Sequence, residues 1–345
     1  MKTINVTASK SYDVLIGAGL LSSLGQRLLS VLKKPCKIAI ISDSNVWPLY
    51  GEAAAAALAG TGFSVVKFVF PAGESSKNAD KYLNILNFLA ENHLTRSDAV
   101  LALGGGVTGD MTGFAAATFL RGIRYIQVPT SLLAMVDSSV GGKTAIDLPA
   151  GKNLVGAFYQ PNLVLCDLDT LNTLPEAVFC DGCAEVIKYG VLYDRELFDH
   201  LSEKGLDFDR ESVIARCVEL KRNVVAEDEF DTGARQKLNL GHTVGHGIEA
   251  QSNFSVTHGQ AVAIGMAIVS KAGCKTIYGQ LCAVLEKFKL PTTTVFSANE
   301  LYTSALSDKK RAGGTVNLII PREIGHCEIV PTPVEKLESF IKEGL

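Results

Sequence analysis

Three of the chain's six histidines fall close together, at positions His242, His246 and His258. His242 and His246 are four residues apart, so a helix places both imidazoles on one face. Imidazole is a common ligand for divalent metals and a general acid or base near neutral pH. The stretch HTVGH carries Thr243 where a metalloprotease helix, H-E-x-x-H, has its glutamate base, which argues against proteolysis. The cluster predicts a divalent metal site or another catalytic site, and the spacing alone makes His242 and His246 candidate ligands together.

A carboxylate ligand for such a site is offered by Glu185, in the mostly apolar segment AEVIK. Two or three histidines and one carboxylate hold a divalent ion and leave a position open for substrate. Glu185 and Lys188 are three residues apart, so in a helix they share a face, and the simpler alternative is an intrahelical ion pair. The residues alone leave both interpretations open.

A glycine-rich loop, GGGVTGD at residues 104–110, follows an apolar strand pattern and opens a predicted helix. It contains G-x-G-x-x-G, in which glycines let the backbone approach a pyrophosphate and the helix N-terminus supplies amide donors. No acidic residue follows the loop at the usual spacing, and Asp43, at the end of an earlier strand pattern, is the candidate for the ribose hydroxyls. The alternative is a tight turn between strand and helix that binds no ligand.

A second glycine-rich stretch, DSSVGGKT at residues 137–144, ends like a nucleotide P-loop. Asp137 occupies the first glycine position of that motif, where a carboxylate would repel phosphate, so the pattern argues against nucleotide binding. Lys143 is still suited to bind another anion. Further basic residues in apolar or glycine-rich surroundings are Lys152, Lys188, Lys221 and Arg235. Together with a metal, this set would hold a substrate with phosphate at one end and carboxylate at the other.

The elements that must position these residues change in type along the chain. In the first half, apolar runs alternate with helical patterns, which predicts a parallel sheet with helices on both faces. The predicted strands are residues 37–42, 63–70, 99–103, 125–128 and 163–166, and the predicted helices are 52–59 and 81–92. From residue 175 the period becomes helical, with helices predicted over 184–192, 212–226, 237–251 and 259–278. The sequence therefore predicts an α/β domain over residues 1–172 and an all-α domain over residues 173–345.

Composition limits the function classes that remain. The chain has 345 residues, 47% hydrophobic and 20% charged, which is enough for two packed domains. A formal net charge of −3 excludes a global basic field for nucleic acid. We expect neither a signal peptide nor a membrane span, because residues 1–10 are polar and the apolar stretch 99–120 is interrupted by glycines and Asp110. Eight cysteines, with one unmatched C-x-x-C at Cys180 and Cys183, suit buried reduced thiols in the cytoplasm.

Five segments, in the same order along the chain, resemble the 3-dehydroquinate synthases, a family of sugar phosphate cyclases. They are GGGVTGDMTGFAAATFLRG (104–122), PTSLLAMVDSSVGGKTAIDLPAGKNLVGAFYQP (129–161), AEVIKYG (184–190), LNLGHTVGHGIEA (238–250) and HGQAVAIGM (258–266). The resemblance implies a Rossmann-like NAD-binding α/β domain, a helical C-terminal domain and a homodimer. It also implies one catalytic divalent metal, zinc or cobalt, held by Glu185, His242 and His258. His246 then becomes a polar catalytic group near the metal and no longer a ligand.

The resemblance also implies a reaction. The substrate is 3-deoxy-D-arabino-heptulosonate 7-phosphate, a phosphorylated keto acid, and the products are 3-dehydroquinate and phosphate. Transient oxidation by NAD acidifies the adjacent C–H bond, so that phosphate can leave. Re-reduction, ring opening and an intramolecular aldol closure follow, so NAD is used without net redox change. The enzyme is a lyase of the shikimate pathway, which leads to chorismate and the aromatic amino acids, and the resemblance implies no nucleic-acid or membrane partner.

The same motifs carry over the family's site residues. Lys221 and Arg235 are expected at the substrate carboxylate, Asp137 and Lys188 at ring hydroxyls, and Arg121 at the site of a neighbouring subunit. The phosphate is expected among Lys143, Asn153, Asn239, His246 and one of Lys309 or Lys310. The NAD site is expected to draw on Asp43, Asn45, Gly73, Glu74, Lys77, Gly105, Gly106, Val107, Thr108, Gly109, Asp110, Thr130, Ser131, Lys143, Lys152, Thr170, Leu171, Asn172 and Thr173.

Some positions depart from the family pattern. Cys183 stands where Met or Leu is usual and Asp181 replaces a small or amide residue, both close to Glu185, whereas Ser131 replaces a common threonine and keeps the hydroxyl. The main alternative is another sugar phosphate cyclase that makes valiolone- or inosose-type rings. Such enzymes tend to carry an acid at the position of Asn239. A metal-dependent polyol dehydrogenase and an NAD-binding regulatory module are the remaining alternatives.

Overall fold

The computed structural model describes residues 1–253, 255–309 and 314–345. Contacts between residues divide the chain into two units. The first comprises Met1–Leu174 with Lys221–Phe230, and the second comprises Pro175–Leu220 with Asp231–Leu345. The sequence predicts a boundary after residue 172. The contacts place the division after Leu174, and they also assign Lys221–Phe230 to the first unit, which no change in the sequence pattern indicated.

Nine strands lie in the described part of the first unit. They are β1 (Lys2–Val6), β2 (Tyr12–Gly17), β3 (Lys37–Asp43), β4 (Ser64–Phe70), β5 (Ala99–Gly104), β6 (Arg124–Pro129), β7 (Lys143–Leu148), β8 (Gly151–Phe158) and β9 (Leu163–Asp167). Seven of them form one sheet in the order β1-β2-β9-β6-β5-β3-β4. β1 and β2 pair antiparallel, while every other neighbouring pair in this sheet is parallel. The parallel sheet expected from the apolar runs is therefore confirmed.

Helices cover both faces of this sheet. They are α1 (Leu24–Leu32), α2 (Glu52–Ala59), α3 (Ala79–Glu91) and α4 (Gly106–Thr118). Leucines of α1 and α2 pack on one face with alternate residues of the central strands, such as Ile38 and Ile40 of β3. α3 and α4 pack on the other face with the intervening residues, such as Ala39 and Ile41. Strands buried on both faces read as continuous apolar runs, which is why the sequence identified them.

The order of strands reverses between β3 and β5. From β3 the chain passes outward to β4, and then returns across β3 to form β5 on its other side. The carboxyl ends of β3 and β5 are therefore neighbours, and they end at Asp43 and Gly104. In open α/β sheets, ligands bind at such a reversal point. The glycine loop and Asp43 meet at the edge of the sheet where a dinucleotide is expected.

β7 and β8 form a separate two-stranded antiparallel ribbon. Lys143 is the first residue of β7 and pairs with Phe158 of β8. A nucleotide P-loop leads from a strand into a helix, whereas this glycine-rich turn leads into a strand. The geometry agrees with the sequence argument against a P-loop here, although the ribbon itself was not predicted.

The segment Lys221–Phe230 attaches to the first unit by specific contacts. Lys221 Nζ donates to Asp137 Oδ1 at 2.7 Å. The Glu229 carboxylate accepts from Ser9 N and from Gln160 Nε2, at 2.6 and 2.8 Å. The Phe230 ring meets the ring of Phe158 edge-on, with 5.3 Å between centroids. These contacts explain the grouping of a segment that is distant in sequence.

The second unit is mainly helical, as predicted. Its helices are α5 (Glu176–Tyr193), α6 (Arg195–Lys204), α7 (Arg210–Glu227), whose last turns belong to the first unit, α8 (His242–Gln251), α9 (His258–Gly273), α10 (Lys275–Lys287), α11 (Ala298–Lys309) and α12 (Val334–Gly344). It also contains an antiparallel hairpin of β10 (Thr315–Glu323) and β11 (His326–Pro333). This hairpin was not predicted, so the unit is helical without being purely α. Within the described ranges, no helix combines the length and apolar character that crossing a membrane requires.

Two predicted helices are interrupted in the structure. The helix expected over residues 237–251 begins only at His242, because Gly241 has a φ of +80°, which an α-helix cannot contain. The helix expected over residues 259–278 ends at Gly273 and restarts at Lys275. A Cβ on Gly273 would lie 2.6 Å from Ile320 Cγ2, so α9 ends where its backbone approaches β10. The apolar periodicity continues across both breaks, so the sequence pattern did not indicate them.

Candidate functional site

The second unit brings Glu185, His242 and His258 together from three helices, α5, α8 and α9. One ligand atom from each lies within 4.8 Å of the others. Glu185 Oε1 is 3.6 Å from His242 Nε2 and 3.4 Å from His258 Nε2. The Glu185 side chain is 1% exposed. A buried carboxylate that faces two imidazole nitrogens suits a divalent ion with a position left for substrate, so these residues fit the expected metal.

Close packing of α8 on α9 sets the distance between the two histidines. A Cβ on Gly265 of α9 would lie only 2.0 Å from the carbonyl oxygen of Gly241, which precedes α8. A Cβ on Gly245 of α8 would lie 3.0 Å from Ala261 O. Only glycine permits these approaches at Gly241 and Gly265. His242 follows the first contact directly, so its ring is brought to within 5.2 Å of the His258 ring, measured between centroids.

Asp181 of α5 holds the start of α9. It accepts hydrogen bonds from Thr257 Oγ1 and from Gln260 N, the latter at 3.1 Å. Thr257 and Gln260 also form a capping box at this end of the helix. A Cβ on Gly259 would lie 2.0 Å from Asp181 O. The departure from the family pattern at Asp181 thus joins the helix that carries Glu185 to the helix that begins at His258.

The two histidines differ in protonation. His242 Nδ1 lies 3.1 Å from Leu240 O, so as a donor there it leaves the Nε2 lone pair facing Glu185. Burial and the charge of Lys188 lower the pKa of His242 well below its usual range. For His258, burial also favours the neutral form, but hydrogen bonds to Glu185 and Glu249 outweigh it and raise the pKa to about 10. A divalent ion would replace that proton between His258 and Glu185.

Lys188 and His246 flank this group. Lys188 pairs with Glu185 inside α5 and is 2% exposed, so the intrahelical ion pair considered from sequence exists together with the three-residue cluster. The His246 ring lies 5.4 Å from that of His242 and 6.5 Å from that of His258. His246 is not part of the group whose ligand atoms converge. Spacing alone had suggested His242 with His246, whereas the structure groups His242 with His258.

Glu249 also lies beside this group, although no sequence motif pointed to it. Its carboxylate is buried at 4% exposure, and its Oε2 lies 3.5 Å from His258 Nδ1. It follows His242 by seven residues, two helical turns, and is the only acidic residue of α8. That spacing, in a helix with no other charged carboxylate, was the available signal.

In the first unit, the expected NAD residues cluster at the carboxyl ends of β3 and β5. α4 begins after Gly105, and no side chain caps its N-terminus. The backbone amides of its first turn are therefore suited to bind an anionic group such as a pyrophosphate. Asp43 Oδ1 accepts from Asn45 N at 2.9 Å, and its Oδ2 accepts from Thr108 Oγ1 at 3.2 Å. Asp43 therefore joins the turn after β3 to the glycine loop, and its ribose role remains a prediction. These features fit a bound dinucleotide.

A charged network lies beside the glycine loop. Lys77 Nζ donates to Asp110 Oδ2 and to Asn153 Oδ1, each at 2.6 Å. Burial raises the pKa of Asp110, against the opposing charge of Lys77. Lys152 Nζ is 3.8 Å from Glu74 Oε1, and burial raises the pKa of that carboxyl as well. Expected NAD residues and an expected substrate residue, Asn153, thus share one network.

The other expected residues are distributed over both units. Tyr50, which belongs to none of the motifs, donates its hydroxyl to Thr170 O at 3.2 Å and also forms a hydrogen bond with Thr173. Thr130 N donates to Gly104 O at 3.0 Å. The remaining members of the NAD and substrate sets lie in the first unit at Gly73, Gly106, Val107, Gly109, Arg121, Ser131, Asp137, Lys143, Leu171, Asn172 and Lys221, and in the second unit at Arg235 and Asn239. Lys310 and the side chain of Lys309 lie outside the described residues.

Comparison with known proteins identifies the family. The model of the 3-dehydroquinate synthase N-terminal domain matches residues 67–181, and the C-terminal model matches residues 182–311. The 3-dehydroquinate synthase of Streptococcus suis (strain 05ZYH33) is 44% identical over 355 aligned residues, which cover 99% of each chain.

Two solved structures share the whole fold. 2-Deoxy-scyllo-inosose synthase, complexed with carbaglucose-6-phosphate, NAD+ and Co2+, is 25% identical, with a TM-score of 0.89 over 100% of both chains. The 2-epi-5-epi-valiolone synthase ValA of Streptomyces hygroscopicus subsp. jinggangensis 5008, with NAD+ and Zn2+ bound, is 26% identical, with a TM-score of 0.88 over 99% of this chain and 98% of that one. The sequence motifs, the fold and the family models agree, and the chain belongs to the 3-dehydroquinate synthase family.

Proposed function

We propose that the chain converts 3-deoxy-D-arabino-heptulosonate 7-phosphate to 3-dehydroquinate and phosphate, in the shikimate pathway. The observation that carries the proposal is the group of Glu185, His242 and His258, whose ligand atoms lie within 4.8 Å of one another. It occurs in a chain that is 44% identical, nearly end to end, to a 3-dehydroquinate synthase. The two structural neighbours that bind NAD+ together with Co2+ or Zn2+ support the same cofactor pair here.

Each cofactor has residues suited to hold it. Glu185, His242 and His258 would hold one zinc or cobalt ion, and the loop Gly105–Asp110 with Lys77 and Lys152 would hold NAD. When bound, NAD+ supplies a hydride acceptor that is regenerated within the reaction, and the metal supplies a Lewis acid for the substrate's hydroxyls. The chain's own task is to bind the two ends of the substrate and to place its ring hydroxyls.

Arg235 is the proposed carboxylate ligand in the second unit. It is 1% exposed, and a buried guanidinium is stable only with anionic or polar partners. Its planar fork matches a carboxylate with two parallel hydrogen bonds. In the first unit, Lys221 is also buried and donates to Asp137, which is proposed to contact a ring hydroxyl. Lys188 of the second unit, which pairs with Glu185, is proposed to contact another ring hydroxyl of the substrate.

The substrate phosphate is proposed to bind Lys143, Asn153, Asn239 and His246. Asn153 of β8 has a φ of +56°, and its backbone amide donates to Asp147 Oδ1 of β7, so the ribbon fixes its backbone. Asn tolerates this left-handed conformation better than most residues. We further propose that His246, with its ring beside His242, serves the phosphate and does not bind the metal.

The chain is further proposed to be a cytoplasmic homodimer in which Arg121 serves the partner subunit's site. Leu120 and Arg121 both have positive φ, at +52° and +67°. Non-glycine residues adopt this conformation rarely, and it occurs where the surrounding structure enforces it. Arg96 Nε donates to Leu120 O at 3.1 Å and helps to hold the loop. A strained loop that presents an exposed arginine supports a recognition role.

The second candidate function is that of a cyclase forming valiolone- or inosose-type rings. The structural neighbours are of this kind, at 25% and 26% identity. Asn239 and the pair Lys221 and Arg235 favour a carboxylate-bearing substrate, and the 44% identity favours dehydroquinate formation. A polyol dehydrogenase would release one NADH per turnover.

One assay separates these functions. The purified chain is incubated with the heptulosonate phosphate, catalytic NAD+ and Zn2+ or Co2+, and phosphate, dehydroquinate and NADH absorbance are measured. We expect one phosphate for each dehydroquinate and no accumulation of NADH. A matched reaction with a sugar phosphate that lacks the carboxylate should release no phosphate. Phosphate from that substrate alone would assign the chain to the other cyclases, and stoichiometric NADH would make it a dehydrogenase.

Glu185→Gln tests the metal group directly. The substitution removes the negative charge while keeping size, so we expect the purified variant to lose its metal and its activity. Glu176→Gln, an exposed position at the start of the same helix, is the matched control and should retain the metal. Full metal occupancy in Glu185→Gln would contradict the assignment.

A further inference from the structure

Glu249 lies behind the ring of His258, on the side away from Glu185. The Nε2 atom of His258 is 3.4 Å from Glu185 Oε1, whereas its Nδ1 atom is 3.5 Å from Glu249 Oε2. The two ring nitrogens diverge, so the imidazole spans two carboxylates that belong to different helices, α5 and α8. From this arrangement we infer that Glu249 is a positioning residue that orients His258 for metal binding.

Glu249 acts on the ring and does not join the ligand group. The converging ligand atoms come from Glu185, His242 and His258 alone among the described residues. A carboxylate that accepts the Nδ1 proton leaves the lone pair on Nε2, which is the nitrogen facing Glu185. It also limits rotation of the ring and makes the ring a stronger donor to a cation. Glu249 therefore selects both the tautomer and the orientation that a metal ligand needs.

The two histidines receive the same kind of support from different sources. For His242, the Nδ1 partner is the backbone carbonyl of Leu240, at 3.1 Å. His258 is likewise the first residue of its helix, and its Nδ1 faces the Glu249 carboxylate of α8 at 3.5 Å. The carboxylate of Glu249 on α8 thus has the place at His258 Nδ1 that the Leu240 carbonyl has at His242 Nδ1.

The position of Glu249 is fixed by the helix that also carries His242. The two residues are seven apart on α8, so one rigid element sets the place of a ligand and of the support for the other ligand. Ile248 and Val244 of the same helix are fully buried, so α8 cannot rotate without exposing core. A buried carboxylate is costly unless it is hydrogen-bonded, and Ser252, one turn on, donates to the Glu249 carbonyl and not to its carboxylate. His258 is a partner of that carboxylate, with its Nδ1 3.5 Å from Oε2.

The inference rests on the proposed metal site, and its test measures metal binding as well as activity. Outer partners of metal-bound histidines typically change metal affinity by about 10- to 100-fold. Zn2+ dissociation constants are measured by competition with a chelator for the wild type, Glu249→Ala and Glu249→Gln. The control Gln251→Ala removes a hydrogen bond from the same helix to Ser304, on the side of α11, and touches no histidine. Visible absorption of the Co2+-loaded proteins reports the ligand geometry.

We expect Glu249→Ala to weaken Zn2+ binding by about 10- to 100-fold and to change the Co2+ spectrum. Glu249→Gln keeps an acceptor oxygen but loses the charge, so its affinity should lie between those of the wild type and Glu249→Ala. Gln251→Ala should match the wild type in both measurements. The graded order identifies an effect on the ring, because a purely structural defect would not distinguish the acceptor from the charge.

Several outcomes would overturn the inference. One is a Glu249→Ala protein whose Zn2+ affinity stays within twofold of the wild type with an unchanged Co2+ spectrum. Another is a Gln251→Ala protein that loses affinity as strongly, because general loosening of α8 would then explain both. If Glu249→Ala does not fold, wild-type affinity in Glu249→Gln counts against the role of the charge. A wild type that binds neither ion would instead refute the proposed function, and the inference with it.

Discussion

Gly265→Ala tests whether the contact between α8 and α9 sets the geometry of the metal group. The added Cβ would lie 2.0 Å from Gly241 O, 2.9 Å from Gly241 C and 3.1 Å from Gly241 Cα. All three are backbone atoms, so no side chain can rotate away. Ordinary contact begins at 3.4 Å, and the two backbones must therefore separate by about 1.4 Å.

Both the stability and the metal site should respond to that separation. Overpacking of this kind costs about 1–3 kcal/mol, and each kcal/mol lowers Tm by roughly 2–4 °C in a domain of this size. His242 follows Gly241 directly, so the shift is passed to a ligand. Metal–ligand distances tolerate about 0.2 Å, so Zn2+ affinity should fall by more than about tenfold.

The measurement combines thermal unfolding of the metal-free protein with a Zn2+ titration against a chelator. Gly279→Ala is the matched control, because it makes the same change in α10 at an exposed position where the new Cβ meets nothing within 4 Å. It should stabilise by about 0.5–1 kcal/mol and leave Zn2+ binding unchanged. Wild-type stability and wild-type affinity in Gly265→Ala would refute the reasoning.

The remaining predictions concern other parts of the chain. Arg235→Ala should raise the KM for the keto acid phosphate by more than about tenfold while leaving the Kd for NAD unchanged; loss of NAD binding with an unchanged KM would contradict the carboxylate role. Arg121→Ala mixed with inactive Glu185→Gln should regain activity through hybrid dimers, and mixtures that stay inactive would exclude a role across subunits. Hydrogen bonds from Thr95 and from the Lys37 amide outweigh burial and lower the pKa of Asp98. Its contribution to stability is therefore present above the pKa of an unfolded aspartate and is lost as pH falls through the lowered value, so unfolding curves of Asp98→Asn should lose that part of the acid sensitivity.

The parts of the fold that the sequence predicted are those with a local signal. β3 and β5 are apolar because helices cover both faces, and each ends at a residue type that the carboxyl edge of a parallel sheet commonly carries, an aspartate and a glycine. The metal group is a different case. The spacing of His242 and His246 favoured the wrong pair, because a helical face says nothing about which other helix packs against it. The residues alone offered Glu185, and the motif resemblance and then the structure grouped it with His242 and His258.

What could not be predicted depends on contacts between distant segments. The break at Gly241 follows from the approach of Gly265, and apolar periodicity does not register it. Glu249 reads as an ordinary helical glutamate until His258 is placed beside it. In the ribbon of β7 and β8, β8 has no buried residue and exposes Leu154 and Phe158, so it lacks the buried apolar face that identifies a strand.

The attachment of Lys221–Phe230 to the first unit limits which parts of the gene can be exchanged by recombination. The chain passes from one unit to the other after Leu174, after Leu220 and after Phe230, so neither unit is a continuous stretch of gene. A recombination that exchanged everything after Leu174 between diverged relatives would replace Lys221 while keeping Asp137. It would also replace Glu229, whose partners lie before the junction. Chimaeras of diverged relatives are thus expected to fold only when Lys221–Phe230 is exchanged together with the first unit.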